Sequence, residues 1–449
     1  MRHLIVLFLV FGYSIATFSQ SDPHDHFDEI VCKEMMAYAN IAQAAAFVNP
    51  LTDNYDLKYY RFDWYIDPAQ YYIKGSATVY FETLEDDFAG IHFDFSSNLG
   101  IDSVTYHGEN RTYEQSGDYL LTIQMPQPLD KGTLDSLTIT YEGAPPASGF
   151  GSFVQTMHNG SPVLWTLSDP FGSQDWWPCK NGLGDKIDSI DVFITTPEAY
   201  RGASNGALVS EKTIGTDKVC HWRHRYPITP YLVAIAVTNY ISYTDTVILD
   251  NGTELQMLNF VYPENEAGAR AGTGDLVEVL QFYDSLFITY PFHEEKYGHA
   301  QFSWGGGMEH QTMSFVFNFG WSLLAHELAH QWFGDMVTCA SFEDIWLNEG
   351  SATYLEGLSQ ERFRGASAWQ SWKSGRLANI TSQTGGSVLV TDTTSVSRIF
   401  SGRLSYNKGA YLHHMLRWIL GDEIFFQGMR SFLNTYSYDY ARTPQFQTV

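Results

Sequence analysis

His326-Glu327-Leu328-Ala329-His330 is followed, after 18 residues, by Glu349 in Asn348-Glu349-Gly350. An α-helix repeats every 3.6 residues, so His326 and His330 share one face, a turn apart, where a single ion can take both imidazoles. Glu327, one step round the helix, is placed to act as a general base on a third species, a water, beside that ion. Glu349, delivered by a second helix packed alongside, adds an oxygen donor. Two histidines and a glutamate with an open fourth position form a catalytic zinc set. The expected cofactor is therefore one Zn2+ per chain, and the expected chemistry is hydrolysis.

Working outward, the surroundings of this stretch have helical periodicity. The helix carrying His326 and His330 is expected over about 322–333. An amphipathic helix is expected from Asp275, with Leu276, Val279, Leu280, Tyr283, Leu286 and Phe287 on one face and Pro291 closing it. Ser341-Phe342-Glu343-Asp344 resembles a capping box at the start of the Glu349 helix. Residues 405–420 are also expected to be helical, and the glycine-rich stretch near 305 is the main strand foreseen in this half. Thr443-Pro444 is a good N-cap and first-turn pair, so the helical region is expected to be cut at its C-terminal end.

Further upstream the pattern switches to period two. Phe62, Trp64 and Ile66 alternate with Asp63, Tyr65 and Asp67. Ile91-Phe93-Phe95, Leu121-Ile123-Met125 and Leu137-Ile139-Tyr141 repeat the alternation. Half-buried strands broken by Asp, Gly and Pro turns predict an antiparallel β-domain over 55–246. The chain is thus expected to be an α+β multidomain protein, with an α-rich catalytic domain over 247–449.

Residues 1–20 have a short basic start, an apolar run from Leu4 to Ala16 and a polar exit, the pattern of a secretory signal peptide. The run is too short to span a bilayer comfortably, and no later stretch is apolar enough to do so. A secreted, periplasmic or extracellular protein is expected, with residues 21–54 as an N-terminal extension. The net charge of −25 has no basic stripe within it, which argues against nucleic acid as a partner. It favours solubility and weakly attracts cationic partners such as a peptide's amino terminus. Four cysteines are too few for a disulfide scaffold, although a Cys179–Cys220 pair is allowed in an oxidising compartment. Glycosylation sequons begin at Asn110, Asn159, Asn251 and Asn379.

The stretch from His326 to Asp335 (HELAHQWFGD), with Trp346 to Gly350 (WLNEG), resembles the aminopeptidase N family of gluzincin metallopeptidases. The likeness extends over most of the chain. Trp176-Trp177-Pro178-Cys179 with Asp185-Lys186, residues 226–237, and Tyr406-Asn407-Lys408-Gly409-Ala410 are all similar to stretches of that family. It implies a saddle-like β-domain, a thermolysin-like catalytic domain and a C-terminal helical domain, truncated here.

Gly305-Gly306-Gly307-Met308-Glu309-His310 is similar to the family's Gly-x-Met-Glu-Asn exopeptidase motif, with His310 in place of Asn. The resemblance implies that Gly306, Gly307, Met308 and Glu309 bind substrate, with Glu309 on its ammonium group. It implies a second contact from Asp169, in Ser168-Asp169-Pro170, and an oxyanion donor in Tyr406. The expected partners are peptides with a free amino terminus. Two other readings stay open: a peptide-binding homologue with weak or no turnover, prompted by His310 and the missing C-terminal domain, and a thermolysin-type endopeptidase. The sequence assigns no oligomeric state.

Overall fold

Strand Tyr55–Tyr65 buries Tyr60, Phe62 and Trp64 on one side, as its alternation predicts. In the computed structural model, which describes residues 49–449, it lies inside an eight-stranded sheet. The expected signal peptide, and the extension up to residue 48, fall outside the described residues. One neighbour, Ile73–Thr83, is antiparallel; the other, Ser189–Pro197, is parallel. The sheet is therefore mixed at this pairing rather than wholly antiparallel. A parallel neighbour needs a long crossover, and residues 66–188 supply it while contributing other strands of the domain.

The aromatic stripe of Tyr60, Phe62 and Trp64 meets Trp176 and Trp177, both fully buried. A separate four-stranded sheet contains Ser161–Leu167, whose end leads directly into Ser168 and Asp169. The suggested Cys179–Cys220 disulfide is not formed, and both thiols are free and buried. Cys179 is bridged to Asp94, with its sulfur 3.6 Å from the Asp94 carbonyl. Cys220 lies across from Ile194 in the large sheet. The two thiols therefore belong to different surroundings.

The second half holds more β-structure than the sequence pattern indicates. The expected division at residue 246 falls within strand Ile241–Ile248, which pairs with Glu254–Val261. Together they open a five-stranded sheet completed by Tyr297–Gln301, Ser314–Val316 and, at the edge, Gly307–Met308. Tyr297–Gln301 is buried at every position, so it lacks the alternation that marks a half-exposed strand.

Six helices of two turns or more follow or flank that sheet: α1 (Glu266–Leu286), α2 (Trp321–His330), α3 (Trp346–Ser359), α4 (Gly365–Thr381), α5 (Gly409–Leu420) and α6 (Asp422–Thr435). α1 begins at Glu266 rather than Asp275, because its first turns are Gly- and Ala-rich, mostly exposed, and carry no apolar stripe. The expected helix over 405–420 starts with a π-helical turn, Gly402–Lys408, before α5. Thr443 is not an N-cap; it is the first residue of the turn Thr443–Phe446, behind Arg442. Its hydroxyl donates to Asp344 at 2.6 Å and accepts from the Trp346 indole at 2.8 Å, tying this segment to the start of α3. None of the described helices is long and apolar enough to cross a membrane.

α3 and α5 cross at two glycines. A Cβ on Gly350 would lie 2.7 Å from the Gly409 Cα, and a Cβ on Gly409 would lie 2.9 Å from the Gly350 Cα. Glycine costs a helix interior roughly 1 kcal/mol relative to alanine, and close backbone approach offsets that here. Gly350→Ala is accordingly expected to destabilise the fold by about 1–3 kcal/mol through overpacking. The check is the denaturant midpoint, with an unchanged or raised midpoint contradicting the crossing.

Candidate active site

α2 presents His326 and His330 with their Nε2 atoms 3.0 Å apart, and Glu349 Oε2 from α3 lies 3.4 Å from each. All three side chains are buried. The backbone turns sharply after α2, so the Phe333 carbonyl accepts from His330 Nδ1 at 3.1 Å. That bond directs the Nε2 lone pair of neutral His330 toward Glu349. The turn requires Gly334, whose φ is +140° and where a Cβ would meet His330 Nδ1 at 3.0 Å.

The donor set fits a zinc ion. Two imidazole nitrogens and a carboxylate oxygen converge on one point, all within 4.8 Å of one another. Burial opposes a charge on His330, yet Glu309, Glu349 and Glu327 pull its pKa well above the ordinary imidazole value. Burial likewise works to raise the Glu349 carboxyl, and the two imidazoles outweigh it and hold the group low. The cluster draws positive charge, which a divalent cation with imidazole and carboxylate ligands satisfies.

Glu327 points from the same helix toward the edge strand. A Cβ on Gly307 would fall 2.2 Å from Glu327 Oε1, so the glycine makes room for this carboxylate. Gly307→Ala should fold, because only the end of a flexible side chain must move. It should lower kcat by roughly 100-fold, the scale on which misplacing a reacting group by about 1 Å acts. Steady-state kinetics beside metal analysis would check this, with loss of zinc rather than of turnover counting against it.

Asp169 and Glu309 face the same cavity, a space of about 30 Å3 also lined by His326, Glu327, His330, Glu349 and Tyr406. Both carboxyl groups are buried, and Asp169 Oδ1 has no hydrogen-bond partner among the described residues. Burial, Glu309 and Glu349 push the Asp169 pKa well up. Burial and Glu349 raise that of Glu309 against the pull of His330. A cation entering here would stabilise both ionised forms.

The placement of these groups comes from the core. The Trp176 indole donates to Ser168 Oγ at 2.9 Å, which anchors the segment carrying Asp169. Gln331, the residue after His330, accepts from the Thr312 amide at 2.8 Å and reaches the Glu309 carbonyl at 3.5 Å. The buried Lys296 ammonium donates to the Thr312 carbonyl at 2.8 Å. Gln331 and Lys296 were not foreseen from sequence, although Gln331 sits within the HELAHQ stretch.

Tyr406 lies on the π-helical turn, buried, its ring parallel to that of His326 with centroids 6.0 Å apart. Such turns recur at functional sites, because the widened turn re-aims a side chain. Gly306, Gly307 and Met308 border or form the edge strand, whose Gly307 and Met308 line the cavity. His310 does not line it; its ring packs against Phe315 at 4.3 Å, and burial keeps it neutral, with its pKa lowered to about 3. The exchange of Asn for His thus falls behind the wall rather than on it. Phe150, Leu167, Trp304 and Phe400 also line the cavity. They come from separate segments and carry no motif.

Residues 320–449 match the Peptidase family M1 domain. The match begins just before α2 and runs through Glu349 and Tyr406. Over that segment the chain is similar to the M1 family, the gluzincins of aminopeptidase N type. The chain is 24% identical over 383 residues to a probable aminopeptidase 2 of Sulfurisphaera tokodaii, covering 78% of this chain and 46% of that one. It is 26% identical to the glutamyl aminopeptidase of Homo sapiens, covering 76% and 37%. It therefore spans less than half the length of these curated relatives. The fold matches an M1 zinc metallopeptidase from Deinococcus radiodurans with a TM-score of 0.78 at 23% identity, covering 88% of this chain and 89% of that one. A two-domain M1 metallopeptidase bound to L-tryptophan gives 0.79, with 88% and 90% covered. The β-domain followed by a helical catalytic region is thus the two-domain architecture of these metallopeptidases, and zinc is the cofactor that the His326, His330 and Glu349 set indicates.

Proposed function

We propose that this protein is a zinc-dependent aminopeptidase that hydrolyses the first peptide bond of peptides with a free amino terminus. The observation that carries the reading is the pair of buried carboxyl groups, Asp169 and Glu309, in one cavity with His326, His330, Glu349 and Glu327. A peptide's α-ammonium has a pKa near 8, so it is largely charged at neutral pH and suits that pair.

His326, His330 and Glu349 would hold the zinc, which supplies Lewis acidity for the scissile carbonyl and makes water a competent nucleophile near neutral pH. Glu327 accepts the proton of the attacking water and delivers it to the leaving amine. Tyr406 donates its phenolic proton in a hydrogen bond to the developing oxyanion, a term worth about 3 kcal/mol for one preorganised donor. The Gly306-Gly307-Met308 edge offers backbone groups to the extended peptide. Glu309 and Asp169 select the chain end, because an internal peptide bond would leave both carboxylates buried without a cation.

The testing experiment compares zinc-loaded protein on aminoacyl-arylamides and on their N-acetylated forms. Turnover of the free amines alone is expected; equal cleavage of acetylated substrates would favour an endopeptidase instead. Removing zinc with a chelator should abolish turnover, and added zinc should restore it. Activity that survives complete metal removal would exclude this mechanism. We further propose export from the cytoplasm, supported by the pattern of residues 1–20. Recovery of a form starting near residue 21 outside the cytoplasm is the expected result, and retention of residues 1–20 inside the cell would oppose it.

A further inference from the structure

Thr312, three residues after Glu309, has a φ of +67°. Among the described residues it is the one β-branched side chain in the left-handed region, which such side chains rarely enter. Met313 donates its N–H to the His310 carbonyl at 2.8 Å, so Thr312 is the third residue of a closed four-residue turn. Turns with positive φ at that place take glycine, because a Cβ there crowds the backbone. Threonine, fully buried, holds this position against its own backbone preference.

What glycine would lack is the hydroxyl. Thr312 Oγ1 accepts from the Gly206 N–H at 2.7 Å and from the Lys296 ammonium at 3.3 Å. Asn205 and Gly206 form the two-residue link between strands Arg201–Ser204 and Ala207–Ile214, which lie in the four-stranded and the eight-stranded sheet. Asn205 Nδ2 donates to the Gln311 carbonyl at 2.8 Å and to the Leu232 carbonyl at 2.9 Å, and its Oδ1 accepts from the Ala234 N–H. The link is thereby fixed to the β-domain and to the turn at once. From the catalytic side, Gln331 Oε1 accepts the Thr312 N–H and the Lys296 ammonium meets the Thr312 carbonyl, each at 2.8 Å. Every polar group of Thr312 is engaged, and the anchors come from both domains.

Glu309 lies between the edge strand Gly307–Met308 and this turn, outside regular structure. Its carboxylate is therefore placed by the turn's anchors rather than by a ladder of backbone bonds. We propose that Thr312 is a positioning residue whose hydroxyl ties the Glu309 turn to the Asn205–Gly206 link, so that the β-domain sets the carboxylate which selects a free amino terminus. This role rests on the aminopeptidase reading and adds to it the device that holds Glu309 in place.

The test compares zinc-loaded Thr312→Gly and Thr312→Ser with the native protein on aminoacyl-arylamides and their N-acetylated forms. Glycine takes the native φ without strain and removes the hydroxyl, whereas serine keeps it. Thr312→Gly should raise KM for the free amines by about tenfold, the scale on which one hydrogen bond acts. Its kcat should stay within about twofold, the mark of lost binding rather than of lost chemistry, and its zinc content should be native. Thr312→Ser should recover most of the affinity. In a Glu309→Ala background the glycine substitution should change kcat/KM by less than about twofold, because the group it positions is gone.

Equal losses from Thr312→Gly in both backgrounds would overturn the proposal, since the residue would then act on the fold at large. So would an unchanged KM, a fall in kcat with KM kept, or a serine variant no better than glycine. The denaturant midpoint of each variant is measured alongside. Should Thr312→Gly not fold, Thr312→Val, which keeps the shape and loses the hydroxyl, carries the same comparison. A native protein inert toward every free amine instead brings down the aminopeptidase reading, and this role with it.

Discussion

Glu327→Gln should lower kcat by about 100- to 10,000-fold, the range of a lost general base, while zinc content stays at that of the unaltered protein. The amide is nearly isosteric with the carboxylate and can fill the space beside Gly307, where Glu327 Oε1 lies. It cannot accept the proton of water at neutral pH. His326, His330 and Glu349 are untouched, so metal analysis should give one zinc per chain for both proteins. Survival of turnover with Gln at 327 would remove this residue from the proton-transfer role. Loss of zinc together with activity would instead make it a structural support of the metal ligands.

Glu309→Ala is the second large effect, and it should fall on KM rather than on metal content. Glu309 is buried, and Gln331 and Thr312 hold its turn against α2. Hydrogen bonds to a charged group contribute about 1.5–3 kcal/mol, or roughly 10- to 100-fold in affinity at 1.4 kcal/mol per decade. KM for free-amine substrates should therefore rise by about that factor. Discrimination against N-acetylated peptides should weaken in parallel, because one buried carboxylate no longer demands a cation. Measuring both on the same preparation separates this role from a general loss of folding, which would lower kcat for every substrate and leave their ratio unchanged. An unaltered KM would remove Glu309 from the ammonium site.

The pairing of His326 with His330 is local, one helical turn on α2, so spacing alone predicts it. Glu349 is legible because a short excursion between two helices leaves few ways for the second to pack beside the first. Glu309, Asp169 and Tyr406 were legible only through resemblance, since nothing in their local pattern says that they share a cavity. The five-stranded sheet of the second half was missed where its strands are fully buried, because burial on both faces erases the alternation that marks a strand. The start of α1 was missed for the opposite reason, since its glycine-rich first turns face water.

By itself, the sequence determined the chemistry of the metal site: which donors, one turn apart on one helix, with a glutamate between them to handle a proton. Only the tertiary structure decided what surrounds that chemistry. Gly350 and Gly409 allow α3 and α5 to touch, which sets Glu349 and Tyr406 on the same cavity. Phe150, Trp304 and Phe400 arrive from three distant segments to close its far wall. The physical reason is range. A helical repeat couples residues four apart through the backbone, whereas a cavity is the residual space between elements whose distance depends on every side chain packed between them.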